Sequence, residues 1–130
     1  MRLQDVVHRP RYEKLIKSYR GSRDIKVITG VRRCGKSTLL RMVANDVSDE
    51  LRAPQNIFYR RMDSFDVPLN PDAPWLEGEL LEAMKRADRD KPFYVFIDEV
   101  QEVQDWEKVI RRLHTQDGVD VYITGSNAHV

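Results

Sequence analysis

The chain of 130 residues contains a single cysteine. No disulfide can close within it, and a reducing, cytoplasmic setting is expected. It also lacks an excess of either charge, since 22 basic residues face 21 acidic ones and the formal net charge is +1. That balance supplies neither a broad basic face for nucleic acid nor an acidic tail. No apolar stretch approaches the roughly 18 residues that a membrane helix requires. The opening MRLQDVVHRPRYEK has no apolar core of a secretion signal, so neither membrane nor export is expected. His8, His114 and His129 are scattered, without the spacing of metal ligands, and read as surface residues. Internal repeats, low-complexity tracts and interdomain linkers are missing. What remains is 41% hydrophobic and 33% charged residues, the composition of a globular domain. The length suits one domain with one real core.

The order of elements alternates. Residues 9 to 19 predict a short helix, with Gly21 as its C-cap. DIKVITG, residues 24 to 30, predicts a buried strand, and a helix follows from Lys36 to about Val47 with Leu39, Leu40, Val43 and Val47 on one face. Residues 56 to 62 predict a second strand, followed by a loop over 65 to 74 that holds three prolines. A helix is expected from Trp75 to Ala87, with Leu76, Leu80 and Met84 in register. PFYVFIDEV, residues 92 to 100, is so apolar that both faces should be covered, as in a parallel sheet. Asp105 is the expected N-cap of a helix carrying Trp106, Val109, Ile110 and Leu113, and after Gly118 a fourth strand spans 120 to 125. Strands alternating with helices predict an α/β fold with a mostly parallel sheet.

Between the first strand and its helix lies Gly30-Val31-Arg32-Arg33-Cys34-Gly35-Lys36-Ser37, which fits G-x-x-x-x-G-K-[ST] at every fixed position. Gly30 and Gly35 permit turns in which successive N–H groups point at phosphate oxygens. The helix expected from Gly35 and Lys36 adds the positive end of its dipole. Lys36 brings a mobile charge to β and γ phosphates, and Ser37 offers a hydroxyl to Mg²⁺. The candidate nucleotide-binding stretch runs from Gly30 through Thr38. The side chains of Arg32, Arg33 and Cys34 receive no role of their own within it. The bland alternative is an ordinary glycine turn.

The third strand ends in Asp98-Glu99, at the end of the sheet where α/β folds place ligands. There Asp98 can hold Mg²⁺ through water, opposite Ser37, while Glu99 orients or deprotonates a water that attacks the γ-phosphate. A polar side chain at the end of the fourth strand could hydrogen-bond the γ-phosphate or that water. Asn127 is the first candidate, with Ser126 and Thr124 as alternatives.

Together, GVRRCGKSTLL, FIDEVQEVQDWEKVIRRL and VDVYITGSNA resemble the prokaryotic AAA-type ATPases of the AAA+ superfamily, in particular the archaeal-like kind. The resemblance implies a three-layer α-β-α P-loop NTPase fold. Gly30, Gly35, Lys36 and Ser37 then match Walker A, and Asp98 and Glu99 match Walker B with its catalytic glutamate. Asn127 matches sensor 1, and Arg11 and Tyr12 become candidates for adenine contact. Lys36, Glu99 and Asn127 are the implied catalytic residues. Proteins of this kind run on through a fifth strand, a lid and a further domain. The chain is therefore expected to be the N-terminal part of such an ATPase domain, truncated after the sensor-1 strand and catalytically incomplete.

The resulting expectation is an ATP-binding, Mg²⁺-dependent ATPase core that yields ADP and phosphate. A P-loop kinase and a nucleotide-dependent, DNA-associated switch or scaffold are the alternatives, and nucleic acid binding is left open. In the implied strand order 5-1-4-3-2, the strand over 24 to 30 would become an edge. Its sequence, IKVIT, offers little charge or proline protection, so self-association through that edge is expected.

Overall fold

The computed structural model describes residues 25–28 and 33–125, with residues 33 and 34 as backbone only. The expected helix over 9 to 19 lies outside the described residues. Strand β1 (Lys26–Ile28) is followed by helix α1 (Arg33–Leu51) and by β2 (Ile57–Arg61). Then come α2 (Ala73–Lys85), β3 (Phe93–Asp98), α3 (Trp106–His114) and β4 (Val119–Thr124). Short 3-10 turns at Pro54–Asn56 and Val100–Glu102 lead into β2 and out of β3.

The four strands form one parallel sheet in the order β1-β4-β3-β2. Asp98 lies opposite Arg61, Ile97 opposite Ile123, and Ile28 opposite Thr124. This is the order expected for these four strands, and it leaves β1 at an edge among the described residues. All six residues of β3 are buried, as its unbroken apolar run demands of a central parallel strand.

Alternation along the strands separates two cores. Phe93, Val95 and Ile97 of β3 join Val121 and Ile123 of β4 against Leu76 and Leu80 of α2 and Val109, Ile110 and Leu113 of α3. Tyr94, Phe96 and Tyr122 face the other way and pack with Leu39, Leu40, Val43 and Val47 of α1. The sheet is thus the middle of three layers. On the α1 side the rings of Phe96 and Tyr122 stack with centroids 5.0 Å apart, and Tyr59 lies 6.2 Å from Phe96.

Several expected boundaries move, each for a local reason. Helix α1 starts at Arg33 rather than at Gly35 and Lys36, and runs on to Leu51. It ends where Arg52 turns left-handed, φ 53°, with its N–H still donating to the Ser48 carbonyl. Helix α2 begins inside the expected proline loop. Asp72 caps it by accepting from the Trp75 N–H at 3.0 Å, and Pro74 occupies the first turn, where its missing N–H costs nothing. Asp105 does precede α3, but its backbone is left-handed, φ 60°, and its side chain makes no cap bond. An N-cap side chain reaches back only from an extended backbone. Gly118 takes φ 76° between α3 and β4, and its carbonyl accepts from the Phe93 N–H at 2.8 Å.

Edge strand β1 is not as unprotected as its sequence suggests. Lys26 points inward, 4% exposed, and forms a buried ion pair with Asp120 of β4. The Tyr122 hydroxyl also donates to Asp120, at 3.2 Å, and the Lys26 ammonium lies 5.1 Å from the centre of the Tyr122 ring. An inward-facing charge is one of the ways in which edge strands resist pairing with other chains.

Candidate functional site

A parallel sheet brings the C-terminal ends of all its strands to one side. The start of α1, the end of β3 and the end of β4 therefore share one edge of the molecule. Helix α1 begins there with the N–H groups of Arg33, Cys34 and Gly35, which have no partner within the helix. Gly35 and Lys36 are buried, Lys36 to 6% exposure, while Ser37 and Thr38 are half-buried. Gly30, Val31 and Arg32 lie outside the described residues. So do Ser126, Asn127, Arg11 and Tyr12.

Asp98 ends β3 and is 1% exposed. An isolated carboxylate at such a depth would be costly. Thr124, at the end of the neighbouring β4 and itself fully buried, answers part of that cost by donating its hydroxyl to Asp98 Oδ1. The same Thr124 oxygen accepts from the Glu99 N–H at 3.1 Å. One hydroxyl therefore fixes the Asp98 side chain and the Glu99 backbone together. Asp98 Oδ2 accepts no hydrogen bond from the described residues. From the β2 side, the Met62 N–H donates to the Asp98 carbonyl at 2.9 Å and holds the strand end in place.

Glu99 turns the chain out of the sheet with φ 57° and ψ 50°. The left-handed region costs a residue other than glycine about 1–2 kcal/mol, so its neighbours must impose it. The Glu102 N–H donates to the Glu99 carbonyl at 3.1 Å, and Gln101 Nε2 donates to Glu99 Oε2 at 2.6 Å. Arg61 stands across the strand boundary from Asp98 and pairs with Asp63, Nε to Oδ1 at 2.6 Å and Nη2 to Oδ2 at 3.2 Å. The hydrogen bond and charge of Asp63, followed by the charges of Asp98 and Glu99, hold the Arg61 guanidinium above its usual range. On the α1 face, burial pushes the Tyr59 phenol up and the Asp98 charge adds to that, while Arg41, 5.2 Å from the ring centre, works against it.

These side chains were not all visible beforehand. Thr124, an alternative for contact with phosphate or water, donates to Asp98 and accepts from the Glu99 N–H. Arg61 and Gln101 had no assigned role, and only the strand register and the 3-10 turn reveal their neighbours. Among the described residues no cluster of three or more His, Cys, Asp or Glu side chains could hold a metal. Mg²⁺ needs none, because it keeps several waters and takes few protein oxygens. The Asp98 carboxylate and the hydroxyl of Ser37 are oxygen donors of the kind it accepts. A cleft of about 430 Å³ between α2 and α3, lined by Leu80, Leu81, Met84 and Val109 among others, includes none of these residues. No helix of the described residues is long and apolar enough to cross a membrane.

A family model described as "AAA domain" matches residues 22–130. The chain belongs to the AAA domain family. The match takes in the glycine-rich loop, the Asp98-Glu99 strand end and β4, and the family points to nucleotide binding and ATPase-like function in general terms. A protein from Haemophilus influenzae described as uncharacterized is 33% identical to this AAA domain over 125 residues, covering 96% of the chain and 31% of the relative. The chain thus spans about a third of the length of the curated relative it matches. No solved structure matches it.

Proposed function

We propose that this AAA domain binds ATP with Mg²⁺ and hydrolyses it to ADP and phosphate, as in the archaeal-like branch of the superfamily. The observation that carries the proposal is the pairing of Asp98 and Glu99 through Thr124 on the sheet edge where α1 begins. It gives adjacent carboxylates different surroundings: one buried, the other half-exposed at a turn.

In this reading the N–H groups at the start of α1 and the Lys36 ammonium bind the phosphates. Ser37 and Asp98 would hold Mg²⁺, which supplies charge neutralisation between the β and γ phosphates. Glu99 orients the attacking water and accepts its proton. Asn127, or Ser126 beside it, completes the γ-phosphate contacts. The carboxylate pair favours water over a small-molecule acceptor, so hydrolysis is preferred to kinase activity. Self-association through the ATPase domain belongs to the same reading.

The test is Glu99→Gln in the intact protein. ATP affinity measured by calorimetry should be retained, while phosphate release should fall about 10²–10⁴-fold. Parental turnover by the variant would remove Glu99 from the role of base.

A further inference from the structure

Three hydrogen bonds fix the turn at Glu99, and two of them act on its backbone: Glu99 N–H to Thr124 Oγ1 and Glu102 N–H to the Glu99 carbonyl, each at 3.1 Å. The third, from Gln101 Nε2 to Glu99 Oε2 at 2.6 Å, acts on the carboxylate. Gln101 rides on the 3-10 turn Val100–Glu102, whose first residue Val100 and following residue Val103 are fully buried in the core. Its backbone is therefore anchored, and its amide reaches Glu99 from a fixed base. The other end of that amide is unusual. Gln101 Oε1 is buried and has no protein partner among the described residues. A buried acceptor without a donor calls for a reason, and fold stability alone does not supply one. The amide is turned so that its N–H meets the carboxylate, at the expense of its carbonyl.

A general base has to stand within hydrogen-bond reach of the proton it takes, and an orienting partner is the usual means of holding it there. Glu99 Oε1 accepts no hydrogen bond from the described residues. We infer that Gln101 is a positioning residue for Glu99, fixing one carboxylate oxygen so that the other is presented to the lytic water. The inference rests on the ATPase reading above. Gln101 itself neither touches substrate nor exchanges a proton.

The experiment uses the intact protein with Mg²⁺ and ATP. Gln101→Met keeps the length and volume of the side chain and removes the donor, while Gln101→Ala removes both. In each variant kcat should fall about tenfold or more, because a misplaced base is penalised steeply. KM and the calorimetric Kd for ATP should stay within about twofold of the parent. Gln101→Glu sets a second carboxylate beside the first and should lower kcat further. A cycle with Glu99→Gln makes the decision: in that background Gln101→Met should cause no additional loss, since there is no base left to position. An equal loss in both backgrounds, or parental kcat in folded Gln101→Met, overturns the inference while leaving the ATPase reading intact. Parental turnover in Glu99→Gln overturns both.

Discussion

The Thr124 hydroxyl serves two groups at once, a carboxylate that is 1% exposed and the backbone N–H of a left-handed residue. Thr124→Val preserves shape and removes both bonds. Leaving buried partners unsatisfied costs about 1–3 kcal/mol each, so a loss of about 2–4 kcal/mol is expected in urea unfolding, with an unchanged m-value. Thr124→Ser should recover most of it. At the other side of the site, Lys36→Ala removes the ammonium proposed to face the phosphates. ATP affinity should then fall at least about tenfold, or about 1.4 kcal/mol, by calorimetry. Equal affinity in a folded variant would count against the loop as the phosphate site. The candidates Lys36, Ser37, Asp98 and Glu99 were legible because their spacing is local: a loop between strand and helix, and two acids at a strand end. The joints between them were not. Thr124 lies 26 residues from Asp98, and the bond exists only because β3 and β4 are neighbours. Gln101 was hidden for a different reason, since its contact depends on a left-handed Glu99 that no residue type announces.

Among the elements, the loop before β3 hangs on one side chain. Asn56 is fully buried, donates to the carbonyls of Asp88, Lys91 and Pro92 at 2.8, 3.2 and 3.0 Å, and accepts from the Asp88 N–H at 2.7 Å. Asn56→Ala should cost about 2–3 kcal/mol in chemical unfolding. Asn56→Asp should be at least as damaging, because it turns a carboxylate towards three carbonyls. The alternation of strands and helices was readable throughout, since long apolar runs and helical spacing extend over many residues. Boundaries were harder. The prolines over 65 to 74 argued for a loop, yet Pro74 is harmless in a first turn that Asp72 caps. Asp105 had the right residue type for a cap and the wrong backbone. Local chemistry proposes such ends, and the packing of the next element decides them.

At the scale of the molecule, the Lys26–Asp120 pair joins the edge strand to its neighbour across 94 residues of sequence. Lys26→Met alone removes the counter-charge from a buried carboxylate and should cost about 3–5 kcal/mol. Lys26→Met with Asp120→Leu should restore most of that stability, because a well-packed apolar pair often equals a buried ion pair. The double variant also removes the inward charge from β1, so sedimentation should show more self-association than in the parent. Full stability with no added association would leave the pair without a protective role at the edge. Among the described residues the sheet also separates tryptophan from tyrosine. Trp106 lies in the core under α2 and α3 with Trp75 packed against it, and these are the chain's two tryptophans. The α1 face has Tyr59, Tyr94 and Tyr122 instead. Tryptophan emission therefore watches one half of the molecule. A loosening of α1, the helix that follows the glycine-rich loop, would leave that emission in place and register in the near-ultraviolet dichroism of these tyrosines.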